Sequence, residues 1–122
     1  MSATIEFRNV VKRFPGRKRA GESSFLAVDR LSFDVLKGEM VAVLGKTGCG
    51  KSTMFNLLAG LIEPTEGTVR VLGHDPFREF DWFRGRIAIV FQNDRLMPWR
   101  TALANVELGL ELLGKSGQER RA

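Results

Sequence analysis

The amino-acid sequence predicts an α/β fold: a partial parallel sheet with flanking helices plus a small antiparallel β-subdomain, the whole truncated. Three observations predict it. A continuous apolar run, Met40-Val41-Ala42-Val43-Leu44, stops at a glycine, as a strand buried on both faces does. A glycine-rich loop follows and leads straight into residues 51–59, whose apolar positions have helical spacing. The segments ahead of this strand–loop–helix unit are short, separated by turns and arranged as hairpins, which implies a separate antiparallel sheet.

Taken in order, residues 4–11 are apolar at the alternate positions Ile5 and Phe7 and form a strand. A turn-rich basic stretch runs from Pro15 to Ser24. Residues 25–28 and 31–36 read as two further short strands, and Lys37-Gly38-Glu39 as a turn. The run at 40–44 is the first buried strand. Helix 51–59 carries Met54, Phe55, Leu57 and Leu58 and stops at Gly60. Glu63-Pro64-Thr65-Glu66-Gly67 is a turn, and residues 68–72 are a strand ending at Gly73-His74-Asp75-Pro76. After a short polar and aromatic connection at 81–86, Ile87-Ala88-Ile89-Val90-Phe91 is a second buried strand. Thr101 N-caps an amphipathic helix to Leu113, closed by Gly114. Ser116-Gly117-Gln118-Glu119 has the spacing of a capping box, yet the sequence stops three residues later. A helix needs roughly 12 residues to be worth starting, so this one is expected to have no body, and the chain reads as truncated.

The chain has 122 residues, 43% of them hydrophobic and 27% charged, as in a globular rather than a disordered protein. No apolar run approaches the roughly 18 residues of a membrane span, and the first seven residues lack the basic and apolar regions of a secretory signal. A cytoplasmic location is expected. The single cysteine, Cys49, cannot form an intrachain disulfide and lies inside the glycine-rich loop, as a small residue in a tight turn or as a redox-active thiol. Much of the net charge of +5 comes from Lys12, Arg13, Arg17, Lys18 and Arg19. The cluster could attract an anionic partner, but Pro15, Gly16 and Gly21 flank it, as in a solvated loop. It has no interleaved aromatics, and the chain has no zinc-finger spacing and no ribonucleoprotein signature, so no nucleic-acid partner is expected.

Gly45, Gly50, Lys51 and Ser52 satisfy G-x-x-x-x-G-K-[ST], the phosphate-binding loop that joins a buried strand to a helix. At these residue frequencies chance supplies such a match on the order of once in a few hundred chains. The fold is therefore expected to be a P-loop NTPase core. Glycines at 45, 48 and 50 are expected to permit positive φ and close approach to phosphates. The successive N–H groups of Gly45, Lys46, Thr47, Gly48, Cys49, Gly50, Lys51 and Ser52 would form an anion nest at the positive end of the helix. Lys51 would reach the β- and γ-phosphate oxygens of ATP, Ser52 would hold Mg2+, and Thr53 would bond near the α-phosphate; Lys46 reads as an exposed charge.

The run Gly-Lys-Thr-Gly-Cys-Gly-Lys-Ser-Thr at 45–53, then Leu57-Leu58-Ala59-Gly60-Leu61, then Pro64-Thr65-Glu66-Gly67, resembles the ATP-binding subunit of an ABC transporter. Val90-Phe91-Gln92, followed by Leu96-Met97-Pro98-Trp99, Thr101 and Asn105-Val106, resembles the Q-loop of that family and its sequel. The resemblance covers nearly the whole chain, and the sequel is most like the nitrate, sulfonate, taurine and bicarbonate import group.

The resemblance implies that Gln92 contacts Mg2+ and the attacking water and acts with Lys51 in catalysis, and that Phe14 stacks on adenine, where a strand-end core residue is the alternative. It implies that His74 is a turn residue and not the family's switch histidine. Trp99 would belong to the surface that receives a membrane subunit, or else pack on Leu103. Asp94 is not the carboxylate of a Walker B strand, because Gln92 and Asn93 intervene after Phe91. The implied partners are a transmembrane permease subunit and a second nucleotide-binding subunit in a head-to-tail dimer, on the inner face of the membrane. Residues 1–122 would be the N-terminal part of the nucleotide-binding domain, without the helical subdomain, signature, Walker B carboxylates and switch histidine. Such a chain is expected not to turn over ATP alone. A non-hydrolysing nucleotide-binding or docking module is the second reading. An unrelated P-loop kinase or GTPase is the third, and it predicts a guanine-reading motif or an arginine-rich lid that the sequence lacks.

Overall fold

The computed structural model describes residues 3–16, 24–93 and 95–122. Two compact units divide between Phe80 and Asp81.

The first unit is built on a three-stranded antiparallel sheet of order β2-β1-β3, with β1 at Ala3–Pro15, β2 at Ser24–Leu36 and β3 at Glu66–Val71. β2 replaces the two short strands expected at 25–28 and 31–36. One strand spans both because register shifts between Phe7 and Val10, and on either side of Lys12, absorb the break in alternation. Asn9 and Arg30 take positive φ beside these shifts, and the Asn9 N–H donates to the Ser32 hydroxyl at 2.7 Å. The expected basic cluster lies partly outside the described residues, at Arg17, Lys18 and Arg19; of its described members, Lys12 sits with its ammonium 5.2 Å from the centre of the Phe14 ring.

One face of the sheet is covered by helix α1, Lys51–Leu58. Phe7, Val10, Val28 and Val69 from the strands meet Met54 and Leu57 from the helix, and Phe7 stacks on Phe33 with centroids 4.7 Å apart. Helix α1 is only eight residues long, so its stability comes from this burial rather than from propagation. It ends in a Schellman motif. Gly60 takes φ 69°, its N–H donates to the Leu57 carbonyl, and the Leu61 N–H donates to that of Asn56. After β3, Leu72 and Gly73 both take positive φ in a turn closed by paired bonds between Val71 and His74. His74 is indeed a turn residue. Its Nδ1 lies 2.9 Å from Glu79 Oε1, and this contact, with the Asp75 N–H, holds the Glu79 carboxyl below its ordinary range.

Residues 40–44 and 87–91, expected as buried strands, are not paired into any sheet. Met40 is 99% exposed and Leu44 92%, and Val90 is 99% exposed. A parallel strand owes its shape to hydrogen-bonded neighbours on both sides and its burial to helices on both faces. Among the described residues no strand runs beside either segment, so apolar sequence alone leaves both unpaired and mostly exposed, with Val43 the residue of 40–44 that packs against the core.

A 3-10 turn at Phe80–Phe83, where the sequence predicted only a connection, runs from the last residue of the first unit into the second. Trp82 and Phe83 meet edge to face, and the Arg86 guanidinium lies 4.4 Å from the Trp82 ring centre. Helix α2, Ala102–Leu112, is capped as predicted: the Thr101 hydroxyl accepts from the Ala104 N–H at 3.1 Å. Gly114 ends it in a second Schellman motif at φ 76°. The expectation that the Ser116 capping box has no helix to open is corrected. Helix α3, Gly117–Arg121, forms with both bonds of the box present, and Glu107 of α2 faces Arg120 and Arg121 at 3.3 Å each. Five residues suffice because the cap and these ion pairs replace the hydrogen bonds a longer helix would supply.

Candidate functional site

The loop from Gly45 to Ser52 is shaped mainly by backbone. Gly48 and Gly50 take positive φ, 82° and 96°, as the motif requires. Gly45 does not, and its role is steric instead: an added Cβ would sit 2.6 Å from the Cys49 sulfur. Gly50 is the N-cap of α1 and has no side chain with which to cap it. The first-turn N–H groups of a helix lack intrahelical partners, so this end offers donors and the positive end of the helix dipole to an anion. The Met54 N–H closes the first turn on the Gly50 carbonyl at 2.9 Å, and the Cys49 N–H closes the loop on that of Lys46 at 3.3 Å.

Lys51 folds back over the loop. Its ammonium donates to the Gly45 carbonyl, and to that of Lys46 at 2.8 Å, with the Cys49 sulfur 3.5 Å away. A cation held by two backbone carbonyls is able to exchange them for the oxygens of an anion. Lys46, Thr47, Gly48, Cys49 and Ser52 are exposed, and Thr53 is half-buried. The Ser52 hydroxyl is thus open to solvent at the start of α1.

Strand β2 fixes the loop from below. An added Cβ on Gly50 would meet the Ala27 carbonyl oxygen at 2.2 Å, so the loop rests on the strand backbone. A cleft of about 290 Å³ beside it is lined by Ala27, Val28, Asp29, Cys49, Lys51 and Met54 among others. The sequence reading missed Ala27 and Asp29, since nothing local in their segment signals a contact with a loop some twenty residues on. Phe14 lies half-buried near the end of β1, paired with Phe25, two positions beyond Lys12, whose partner is Val28. Gln92 is exposed and belongs to the second unit. Asp94 lies outside the described residues. Trp99 is 79% exposed and Leu103 58%, so packing on Leu103 does not bury it.

A family model described as ABC transporter matches residues 28–122. The chain belongs to the ABC transporter family. A provisionally named ATP-binding protein of Brucella abortus is 43% identical over 121 residues, covering 99% of this chain and 42% of the relative. The taurine import ATP-binding protein of Pseudomonas aeruginosa is 47% identical over 92 residues, covering 75% of this chain and 34% of the relative. Among solved structures, a dimeric ATP-binding cassette in a post-hydrolysis state with ADP and Pi superposes with a TM-score of 0.79 at 34% identity, covering 96% of this chain and 52% of that one. The chain thus spans about two fifths of the length of the curated relatives it matches first. Its fold is that of an ABC ATPase cassette, with the antiparallel subdomain and the loop–helix unit in place and the segments at 40–44 and 87–91 unpaired. Among the described residues no helix is long and apolar enough to cross a membrane.

Proposed function

We infer that residues 1–122 are the N-terminal part of the nucleotide-binding domain of an import ATPase, and that they hold the phosphates of Mg-ATP. The observation that carries this reading is the loop itself: positive φ at Gly48 and Gly50, an uncapped helix end at Gly50, and the Lys51 ammonium already over its mouth. Within it, Lys51 neutralises the β- and γ-phosphate oxygens and the exposed Ser52 hydroxyl is a ligand for Mg2+. Thr53 bonds near the α-phosphate, and N–H groups of the loop from Gly45 to Ser52, those of Lys46, Thr47, Gly48 and Gly50 included, cradle the chain of phosphates, while the Cys49 N–H stays on the Lys46 carbonyl and braces the loop. Phe14 supplies a ring for adenine. Gln92 acts on Mg2+ and the attacking water; its assignment rests on the sequence resemblance alone.

Solute import as the purpose of hydrolysis is supported by the relative named for taurine import. With it come a membrane-embedded permease subunit that docks near Trp99, a second nucleotide-binding subunit, and a peripheral place on the inner face of the membrane.

A second reading, nucleotide binding without turnover by these residues, is favoured by one contrast. The loop at Gly45–Ser52 is shaped, while the segments at 40–44 and 87–91, expected as core strands, are unpaired. One titration tests both. A fluorescent ATP analogue with Mg2+ is expected to bind, and Lys51→Ala to weaken binding at least tenfold, about 1.4 kcal/mol. Equal affinity in the variant sinks the phosphate-loop assignment. Steady-state phosphate release that vanishes in Lys51→Ala would favour turnover over the second reading.

A further inference from the structure

The end of strand β1 is clamped by the segment between α1 and β3. Pairing with β3 stops at Val11 and Glu66, and side chains take over where the ladder ends. The Thr65 N–H donates to the Val11 carbonyl at 2.8 Å, and the Arg13 N–H donates to the Thr65 hydroxyl at 3.0 Å. Beside them the Lys12 ammonium donates to the Glu63 carbonyl at 2.7 Å.

That ammonium has a second contact. It lies over the Phe14 ring, 5.2 Å from its centre, within the roughly 6 Å at which the ring quadrupole attracts a cation. Both residues are half-buried. Lys12 is therefore fixed at its tip from two sides, by a carbonyl of the neighbouring segment and by a ring of its own strand.

The braced ring stands close to the phosphate loop along β2. Phe14 pairs with Phe25, and the loop rests at Gly50 on the Ala27 carbonyl. Two residues of strand separate Phe25 from Ala27, roughly 7 Å. The register shift between Lys12 and Arg13 falls at the same place. Lys12 pairs with Val28 and Arg13 with Leu26, which leaves Ala27 as the extra residue of a bulge.

We propose that Lys12 is a positioning residue for nucleobase binding: held on the Glu63 carbonyl, its ammonium fixes one face of the Phe14 ring so that the other receives adenine. The proposal rests on the reading of Phe14 as the adenine ring given above. An aromatic side chain that is already ordered gives up less freedom when a base stacks on it. Lys12 has no part in holding phosphates, because its hydrogen bond goes to Glu63 and its charge faces Phe14.

The test measures the affinity of the whole chain for two probes, Mg-ATP and Mg-tripolyphosphate, the second carrying phosphates without a base. Phe14→Ala is expected to weaken Mg-ATP binding at least about fivefold, the usual effect of removing a ring from beneath a base, with tripolyphosphate affinity kept. Lys12→Met keeps the side-chain length but neither charge nor donor. It is expected to weaken Mg-ATP about threefold to tenfold, as for one side chain that must be ordered on binding. Tripolyphosphate should bind nearly as to wild type, which also controls for the lost charge. Lys12→Arg keeps a cation that stacks on rings and donates to carbonyls, and is expected to bind Mg-ATP within about twofold of wild type. In a Phe14→Ala background, Lys12→Met should have no further effect.

If Phe14→Ala weakens Mg-ATP selectively but Lys12→Met does not, or Lys12→Met weakens both probes alike, the positioning role is overturned and the adenine reading stands. If Phe14→Ala binds Mg-ATP as wild type, or the wild-type chain does not bind Mg-ATP, the adenine reading fails and the proposal with it. Should Lys12→Met lose its strand signal in far-UV circular dichroism, Lys12→Gln takes its place, since it keeps a donor for Glu63 without the charge. Wild-type affinity for Mg-ATP in that variant overturns the proposal.

Discussion

Among the described residues, the turns that open α1 and α2 are shaped by opposite means. The phosphate loop takes its form from what its residues lack: Gly48 and Gly50 have no Cβ, and Gly50 caps α1 with backbone alone. The Met97–Arg100 turn takes its form from what one residue adds, the amide of Asn105. The difference suits the job proposed for the first. A helix end that is to offer its N–H groups to an anion cannot spend side chains capping them, whereas the turn ahead of α2 is tied down by an amide that spends its hydrogen bonds on the loop.

The sharpest way to break the comparison is to put a side chain where the phosphate loop has none. Gly50→Ala places a methyl 2.2 Å from the Ala27 carbonyl oxygen in a backbone conformation of φ 96°. Left-handed strain costs about 1–2 kcal/mol and an overpacked contact about 1–3 kcal/mol, so a loss of roughly 2–5 kcal/mol is expected, read as the urea midpoint of the first unit. A loss below about 1 kcal/mol would mean that the loop does not rest on β2.

Asn105→Ala is the corresponding injury to the other turn. It strips the half-buried Met97 N–H of its partner, and a buried donor left unsatisfied costs about 1–3 kcal/mol. The loss should appear locally, as faster amide exchange at 97–101, with little change in the first unit. Uniform destabilisation of both units would contradict it.

How much of this was legible in the sequence follows from the range of the forces involved. Features decided within a few residues were readable. The glycine stops at Gly60 and Gly114 and the Thr101 cap are where local chemistry puts them. Strand β1 likewise follows the alternation at Ile5 and Phe7. Features decided by distant partners were not. The runs at 40–44 and 87–91 have the composition of buried strands, but composition cannot provide the neighbouring strands that would pair with them. Helix α3 was misjudged for the same reason in reverse, because Glu107 supplies ion pairs that no count of helix length includes. At the site, the positive φ of Gly48 and Gly50 was legible because a local shape dictates those residue types, whereas Gly45 was expected to share it and does not. The support from Ala27 was not, since contact between a strand carbonyl and Gly50 leaves no local pattern.

Gly48→Ala refines the comparison by separating strain from packing. Gly48 shares the left-handed backbone of Gly50, at φ 82°, but an added Cβ there meets nothing within 4 Å. The strain alone should cost about 1 kcal/mol. Stability losses of equal size at Gly48 and Gly50 would show that strain governs the loop and that the Ala27 contact is incidental.

The smallest effect concerns α3, which like α2 is opened by a side-chain cap, but by one that titrates. Hydrogen bonds from the Ser116 N–H and the Ser116 side chain, opposed by slight desolvation and aided by Lys115, hold the Glu119 carboxyl below its ordinary 4.5. The charged form is therefore favoured in the helix relative to the unfolded segment. Its contribution is complete above the unfolded value and fades as pH falls through the lowered folded one. The Glu119 carboxylate accepts from the Ser116 N–H at 2.9 Å, so protonation weakens the return arm of the box while the Ser116 hydroxyl still accepts from the Glu119 N–H at 3.3 Å. Amide exchange at the Ser116 N–H should thus accelerate as pH drops below 4.5, beyond the intrinsic pH dependence of exchange. In Glu119→Gln that extra acceleration should disappear, because the amide oxygen still accepts but does not titrate. Ser116→Ala should fray α3 at every pH, costing about 1 kcal/mol locally. An acid-induced change that persists in Glu119→Gln would place the titrating group elsewhere than in the capping box.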